Sequence, residues 1–224
     1  MKRPLVISLA AFVIIFIGAA FAFAIFQPIK VLPRIRLSPG FAMIDQNGQR
    51  VTNETLRGSI VVFSYTSTRC LKNCASTLQT LGEVQSAVVN LDTGGIPVQL
   101  VTIALDPQND TPEALLTLAQ SNQARPDVWR FLRMQDTQLL KTIVGSGFEV
   151  YYKPTNDGQI EMDQVFTLVD GWGIIRGEYR YTGLTSNTER ILTHINVLVD
   201  EVHNSVGAAR LAYEAAHLFM CYAP

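Results

Sequence analysis

Two cysteines four residues apart, Cys70 and Cys74, are the residues of this sequence whose type and spacing best suit chemistry. They follow a β-branched, apolar run at 59–66 (SIVVFSYT), which is typical of a strand buried on both faces, and they precede a run of helical periodicity. A thiol at a helix N-terminus has a lowered pKa because it lies near free backbone N–H groups and the positive end of the helix dipole. We therefore predict a reactive thiol pair at a strand-to-helix corner, with Arg69 and Lys72 adding positive charge.

The spacing of the pair bears on its chemistry. In a regular helix the Cβ atoms of residues i and i+4 are about 5–6 Å apart, whereas a relaxed disulfide needs roughly 3.5–4.5 Å. We therefore expect the pair to favour a soft metal ion over a static disulfide, since thiolates select Cu(I), zinc or iron–sulfur clusters, with reversible oxidation left open. Two cysteines on one helix face can also be buried apolar filler, a reading that the basic neighbours disfavour.

Hydrophobic periodicity predicts the elements that position this corner. The predicted order begins with a hairpin at Asn47-Gly48, strand 59–66, a helix from Cys70 to about Leu91 and strand 97–105. A helix follows that is capped by Thr111 and has Pro112 at its first position, and then come strand VWRFLRM, a short helix at 136–144 and strand FEVYY. The order ends with a hairpin that turns at GWG and with helices from Asn187 and at about 207–219. This mixed α/β order fits a thioredoxin-like domain extended at both ends.

The N-terminus carries an apolar run that is long enough to cross a bilayer. Residues 5–26 contain no charge, and a helix of that length measures roughly 33 Å. We expect a transmembrane anchor at 1–27 and a short linker at 28–39. The alternative is a cleavable signal peptide, because Ala22-Phe23-Ala24 matches a cleavage pattern, although signal cores usually run about 7–15 residues. Basic residues flank the run on both sides and do not decide its orientation.

Composition narrows the function classes. The chain has 224 residues and a net charge of −1, which gives no reason to expect a nucleic-acid partner. Its three cysteines are too few for a disulfide scaffold, and they read as one functional pair plus Cys221 near the end of the sequence.

The run SYTSTRCLKNC resembles the Thr-x-Cys-Pro-x-x-Cys-Pro segment of the SCO/SenC family. Three further stretches are similar to that family: FAMIDQNGQRVTNETLRGSIVVFSY, LVTIALDPQNDTPEAL and VFTLVDGWGIIRGEYRYTGL. The likeness covers about residues 40–205 and leaves 206–224 as a C-terminal helical extension. It implies a membrane-anchored, thioredoxin-like protein that helps to assemble the binuclear copper centre of cytochrome oxidase.

The resemblance also implies roles for particular residues. Cys70 and Cys74 become the copper-thiolate pair, and the family's third ligand, a histidine, falls at Met162. A thioether suits Cu(I), so Met162 is a candidate metal ligand, with an ordinary apolar strand residue as the equal alternative. Such a site disfavours Cu(II) relative to one with imidazole. Leu71 and Ala75 replace the two prolines of the family pattern, which predicts a less rigid loop.

Four other residues are candidates for a metal-binding or a structural role. Asp106 and Asp110 occupy the positions of the family's loop acids, but a structural role in shaping the loop is the simpler interpretation. In the extension, His217 and Cys221 are also four apart, which is weak support for a second soft-metal site. We favour instead a helix that packs on the domain or docks onto a membrane partner.

Three functions follow from these features. The first is a copper-binding and thiol-redox protein that delivers Cu(I) to a respiratory oxidase. It would be anchored in the lipid bilayer of the cell membrane, with a cytoplasmic N-terminus and its domain on the outer or periplasmic side. The second, an enzymatic one, is a thiol–disulfide oxidoreductase without stable copper. The third is an accessory subunit of a respiratory membrane complex with a degenerate copper site, which the missing histidine motivates.

Overall fold

The computed structural model describes residues 7–15, 17–18, 29–180 and 185–219. Its strands are β1 (Arg36–Leu37), β2 (Ala42–Asp45), β3 (Arg50–Thr52), β4 (Ile60–Thr66), β5 (Val98–Ala104), β6 (Trp129–Arg133), β7 (Tyr152–Pro154), β8 (Ile160–Met162), β9 (Phe166–Val169) and β10 (Ile174–Tyr179). Its named helices are α1 (Cys74–Val88), α2 (Pro112–Ser121), α3 (Thr137–Lys141), α4 (Asn187–Asn204) and α5 (Ala209–Phe219), and α3 continues into a π-helical stretch, Thr142–Gly147.

One mixed sheet of eight strands organises the domain, in the order β1-β10-β9-β4-β5-β6-β2-β3. β4, β5 and β6 run parallel, whereas β9 is antiparallel to β4 and places Val169 opposite Val61. All seven residues of β4 are buried, as expected for a β-branched central strand covered on both faces. The carboxyl end of β4 therefore leads directly into the cysteine loop.

Apolar side chains fill both faces of the sheet. One cluster packs β4 and β5 against α1, α2 and α4, through residues such as Val62, Leu81 and Leu198. The other cluster lies on the opposite face and contains Phe63, Leu140 and Phe148, together with Cys74 and Met162. The cysteine corner is thus built into the edge of a packed core.

Most predicted elements are confirmed with small shifts at their ends. The hairpin turns at Asn47-Gly48, where Gly48 has a φ of 79°, and the Thr111 hydroxyl caps α2 by accepting a hydrogen bond from the Ala114 N–H. The predicted strand FEVYY is wrong over all but its last residue, Tyr152. Glu149 has a φ of 56°, which an extended strand does not allow, so the strand begins only at Tyr152 and pairs with β8.

The segment that we expected to be a linker is part of the domain where the structure describes it. Val31 and Leu32 are fully buried, and β1 extends the sheet by pairing with β10. The apolar residues between its prolines and basic residues pack against the core, which a free linker does not do.

The N-terminal apolar run falls partly outside the described residues. Residues 7–15 and 17–18 are helical, and large apolar side chains in them, such as Ile7 and Phe12, are exposed. In the parts of the chain that the structure describes, no helix combines the length and the apolar character needed to span a membrane.

A buried arginine ties three elements together. Arg176 on β10 donates to Asp170 and to Glu201 of α4, at 2.8 and 2.7 Å, and to the carbonyl oxygens of Leu32 and Pro33. Glu201 in turn contacts His217 of α5 at 3.0 Å. Buried charges are tolerated only when they are paired in this way.

His194 makes the stability of the fold sensitive to acid. Burial lowers the pKa of His194 from 6.5 to about 4, with the Arg190 guanidinium adding to the effect. A neutral His194 is therefore favoured in the folded state, so its stabilising contribution is present above pH 6.5 and is lost as the pH falls through 4. We expect the free energy of unfolding to fall by a few kcal/mol between these values, and to fall less in His194→Gln, whose amide oxygen can still accept a bond from Tyr179. Urea titrations at several pH values measure this, and parallel curves for both proteins would contradict it.

Candidate metal centre

Cys70 and Cys74 are joined by a disulfide, with their Cα atoms 6.2 Å apart. The helix begins at Cys74, whereas Cys70 lies in the loop before it. The prediction that both cysteines lie on one helix face is therefore wrong, and so is the expectation that their spacing opposes a disulfide. The i, i+4 distance of a regular helix does not apply to this pair.

Cys70 is positioned by β8 and not by the helix. It forms a parallel bridge to Ile160, flanked by hydrogen bonds from the Leu71 N–H to the Ile160 carbonyl (2.9 Å) and from the Ile160 N–H to the Arg69 carbonyl (2.7 Å). Asn73 has a φ of 71°, a left-handed conformation that turns the loop back into the helix. Together these features bring the two sulfurs to bonding distance.

The electrostatic support predicted for Cys70 also changes. The helix N-terminus lies at Cys74, so the dipole acts mainly on that sulfur. Lys72 forms an ion pair with Glu161 at 3.0 Å, and Glu161 is shared with Lys153. Arg69 donates to the carbonyl oxygen of Asp157. Because the positive charge of Lys72 is balanced by Glu161, it stabilises a thiolate at Cys70 less than the sequence indicated.

Met162 lies beside the disulfide. Its side chain is 1% exposed, and its Sδ is 3.8 Å from Cys74 Sγ. The three sulfur residues named from the sequence are therefore adjacent, although they come from a loop, a helix and a strand that begins far along the chain.

The two cysteines differ in access to solvent. Cys74 is 6% exposed and packs in the apolar cluster, whereas Cys70 is half-buried at its edge, next to the exposed Leu71. A partner thiolate can therefore approach Cys70 more easily than Cys74, because reactivity in thiol–disulfide exchange depends on access as well as on pKa.

Asp110 fixes the loop that carries Cys70. Its buried carboxylate accepts hydrogen bonds from the Thr68 N–H and hydroxyl at 2.7 and 2.6 Å, and from the Asp106 N–H at 2.9 Å. Burial raises the pKa of Asp110, and these hydrogen bonds oppose that shift. Asp106 accepts hydrogen bonds within the same loop, from Asn109. The structural interpretation of both acids is thus confirmed.

β8, the strand that holds both Cys70 and Met162, is not predicted by the hydrophobic pattern. A signal was present, because Asp157-Gly158 separates two short extended runs and such a pair is typical of a hairpin turn. Gly158 has a φ of 71° in the structure.

The histidines lie away from the cysteine corner. His194 contacts the Tyr179 hydroxyl at 2.6 Å, the His203 ring packs against Gly94, and His217 pairs with Glu201. Cys221, proposed as a partner of His217, lies outside the described residues. Within those residues, no group of three or more His, Cys, Asp or Glu side chains is placed to hold a metal ion.

The donor set at the corner nonetheless fits a soft monovalent ion. Reduction of the disulfide would free two thiols beside the Met162 thioether, and thiolate and thioether sulfurs are the ligands that Cu(I) prefers. The set contains no imidazole, which is the ligand that would favour Cu(II).

Comparison with known proteins places the chain in a family. The family model described as SCO1/SenC matches residues 31–200. A protein of Stutzerimonas stutzeri, described as a candidate copper-binding protein, is 27% identical over 173 residues, which are 75% of this chain and 80% of that protein.

Solved structures of similar proteins share the fold. A structure of Bradyrhizobium japonicum ScoI with copper bound superposes with a TM-score of 0.58 at 25% identity, over 72% of this chain and 99% of that one. A structure of BsSco, described as a member of the Sco family of cytochrome c oxidase assembly proteins, gives a TM-score of 0.65 at 19% identity, over 76% and 98%. The predicted α/β, thioredoxin-like fold is confirmed, and the chain belongs to the SCO1/SenC family.

Proposed function

We propose that this chain binds Cu(I) through Cys70, Cys74 and Met162 and helps to assemble the copper centre of a respiratory oxidase. One observation carries the proposal, namely that two cysteine sulfurs and a buried thioether meet at the end of the central strand, with Met162 Sδ 3.8 Å from Cys74 Sγ. Membership of the SCO1/SenC family and the copper-bound state of the similar ScoI structure support it.

The disulfide between Cys70 and Cys74 is the resting, oxidised form of the proposed site. Two electrons and two protons from a dithiol reductant convert it to two thiols, and the reductant becomes a disulfide. Both thiols lose their protons when they bind the metal, since thiolates and not thiols are metal ligands. The buried Met162 thioether needs no deprotonation, so it is available as a ligand at any pH.

We also infer that residues 1–27 anchor the protein in the lipid bilayer of the cell membrane, with the domain on the outer or periplasmic side. The uncharged run at 5–26 supports the anchor. The disulfide supports the compartment, because such bonds persist in oxidising environments. The partner is then a respiratory oxidase whose copper-binding part faces the same side.

Copper titration of the full chain tests the proposal. We expect the anaerobically reduced protein to bind about one Cu(I) per chain with thiolate-to-copper charge-transfer absorption, because its two thiolates and thioether form one soft site. The variant Cys70→Ala/Cys74→Ala should lose this binding, whereas Cys221→Ala, which removes the third thiol, should keep it. Binding that survives the double replacement, or that disappears with Cys221→Ala, would reject the assignment of the site.

A second function, thiol–disulfide exchange with a partner, is favoured by the disulfide itself and by the greater exposure of Cys70. In this reaction the Cys70 thiolate of the reduced pair attacks a disulfide of the partner, a mixed disulfide forms and one partner thiolate leaves. The Cys74 thiolate then attacks Cys70 Sγ, which releases the second partner thiolate and closes the Cys70–Cys74 disulfide. We expect Cys74→Ser to accumulate a mixed disulfide with a partner in membranes, and Cys70→Ser/Cys74→Ser to accumulate none. Non-reducing gels in a Cys221→Ala background measure this, and equal adducts in both variants would count against exchange at Cys70.

The third reading, an accessory subunit with a degenerate copper site, follows if both experiments fail. In that case the chain should copurify stoichiometrically with a respiratory complex and carry no metal after reduction.

A further inference from the structure

Helix α5 has an apolar face that the rest of the domain does not cover. Leu211 and Leu218 are each 78% exposed and lie on one side of the helix, two turns apart. Ala216 is buried on the other side, next to the largely buried side chain of His217. The outer face of α5 is therefore more apolar than a helix that only packs on a domain requires.

Polar contacts, more than apolar packing, hold this helix in place. Glu214 forms a two-pronged pair with Arg34 at 3.0 Å for each bond, and His217 contacts Glu201 at 3.0 Å. A cavity of about 880 Å³ separates the helix from the end of the sheet. A helix of this length is only marginally stable in water unless an apolar face is packed. A surface that covers the exposed leucines would therefore stabilise α5.

The position of α5 is at the end of the domain opposite the cysteine corner. β4 runs towards the cysteines, and the loop before it contacts the turn after β9 through the Gly58 N–H and the Gly171 carbonyl, 2.9 Å apart. The cavity under α5 is lined by Gly58 and by Trp172 of that turn. Trp172 is 75% exposed, so a large aromatic side chain stands beside the helix at the same end.

The chain reaches this end directly from the N-terminal apolar run. Leu32 and Pro33 accept hydrogen bonds from Arg176, and Arg34 pairs with α5. The five steps from the end of the run at residue 26 to Val31 cover at most roughly 18 Å. If residues 5–26 cross a bilayer, α5 and Trp172 lie close to its surface.

We propose that the outer face of α5, formed by Leu211 and Leu218, lies on the lipid bilayer with Trp172 beside it at the headgroup level. The inference rests on the membrane anchor of the proposed function, and its occupant is the lipid surface. Amphipathic helices bind bilayers by burying such a face roughly 5–10 Å deep, and exposed tryptophan is favoured at the same depth. Docking would hold the cysteine corner pointing away from the membrane, towards the soluble part of a partner.

Quenching by brominated lipids tests this contact in the full chain reconstituted in phosphatidylcholine vesicles. The probe is Leu218→Trp in a Trp172→Phe background, with Leu116→Trp on α2 in the same background as the matched control, since Leu116 is a partly exposed leucine away from this end. Trp129 is fully buried and contributes equally to both. We expect brominated acyl chains to remove roughly half of the emission of the Leu218→Trp protein, because bromine quenches only at contact depth, and to leave the control unchanged. Adding Leu211→Glu to the probe protein should restore its emission.

Each outcome decides the proposal. If the emission of the Leu218→Trp protein is the same in brominated and in ordinary vesicles, as it is for the control, the proposal is overturned. If that emission is blue-shifted but not quenched, a second copy or another protein covers the face instead of lipid, which also overturns it. If the chain does not float with the vesicles, the anchor in the proposed function fails together with this inference. If it floats without quenching, the anchor stands and only the docking of α5 fails.

Discussion

Replacing Arg176 with methionine is expected to lower the free energy of unfolding by about 3–5 kcal/mol. The guanidinium is 3% exposed and pairs with the buried carboxylates of Asp170 and Glu201. Without it, two acidic groups remain in the interior with no positive partner at that position, and the carbonyl oxygens of Leu32 and Pro33 lose their donor. Methionine fills much of the volume of arginine, so the decrease in the free energy of unfolding comes mainly from the missing charge and hydrogen bonds and only to a small extent from a cavity.

Arg125→Met is the matched control for this experiment. Arg125 pairs with Asp127 at 2.7 Å, but both side chains are largely exposed, and exposed ion pairs contribute little to stability. Chemical unfolding followed by circular dichroism compares the two variants. A loss for Arg176→Met no larger than that for Arg125→Met would show that the network does not hold β10, α4 and the N-terminal segment together.

Introducing an imidazole at position 162 is expected to convert the proposed copper site from one that selects Cu(I) to one that also holds Cu(II). Met162 Sδ lies 3.8 Å from Cys74 Sγ, so His at this position would direct its ring towards the same sulfurs. Imidazole suits Cu(II) and a thioether does not. We expect Met162→His to raise the Cu(II) affinity of the reduced protein by on the order of 100-fold, since even the partners that orient a metal ligand change affinity by up to that factor.

Met162→Leu provides the control, because it keeps an apolar side chain and supplies no donor. Cu(II) titrations under stopped-flow conditions, before the thiols are oxidised, measure the affinity. In Met162→His the affinity should also fall below about pH 6.5, where imidazole gains a proton, and the original protein should show no such step. Equal affinities for the His and Leu variants would mean that position 162 does not face the metal.

Most helices and strands of this domain can be predicted from local sequence patterns, but the geometry of the cysteine corner cannot. The buried strand β4 and the Asn47-Gly48 hairpin follow from patterns within a few residues. The disulfide depends on a pairing between Cys70 and Ile160, which are far apart in sequence, and on the left-handed Asn73. Periodicity carries no information about such a contact, so the regular helix predicted from Cys70 onward gives the wrong distance between the two Cβ atoms.

For Met162, the family resemblance gave the correct neighbour although the local pattern gave none. The residue sits in a three-residue strand with no pattern of its own, and it was found only by counting along a family resemblance. The structure places it beside Cys74. The neutralisation of Lys72 by Glu161 was equally invisible in the sequence, because it depends on the same unpredicted strand.

X-ray absorption at the copper edge of the Cu(I)-loaded full chain shows which atoms bind the metal. We expect sulfur-only coordination by Cys70, Cys74 and Met162, with sulfur coordination reduced in Met162→Leu while Cu(I) stays bound to the two thiolates. A nitrogen or oxygen ligand in the original protein, or an unchanged spectrum in Met162→Leu, would contradict it.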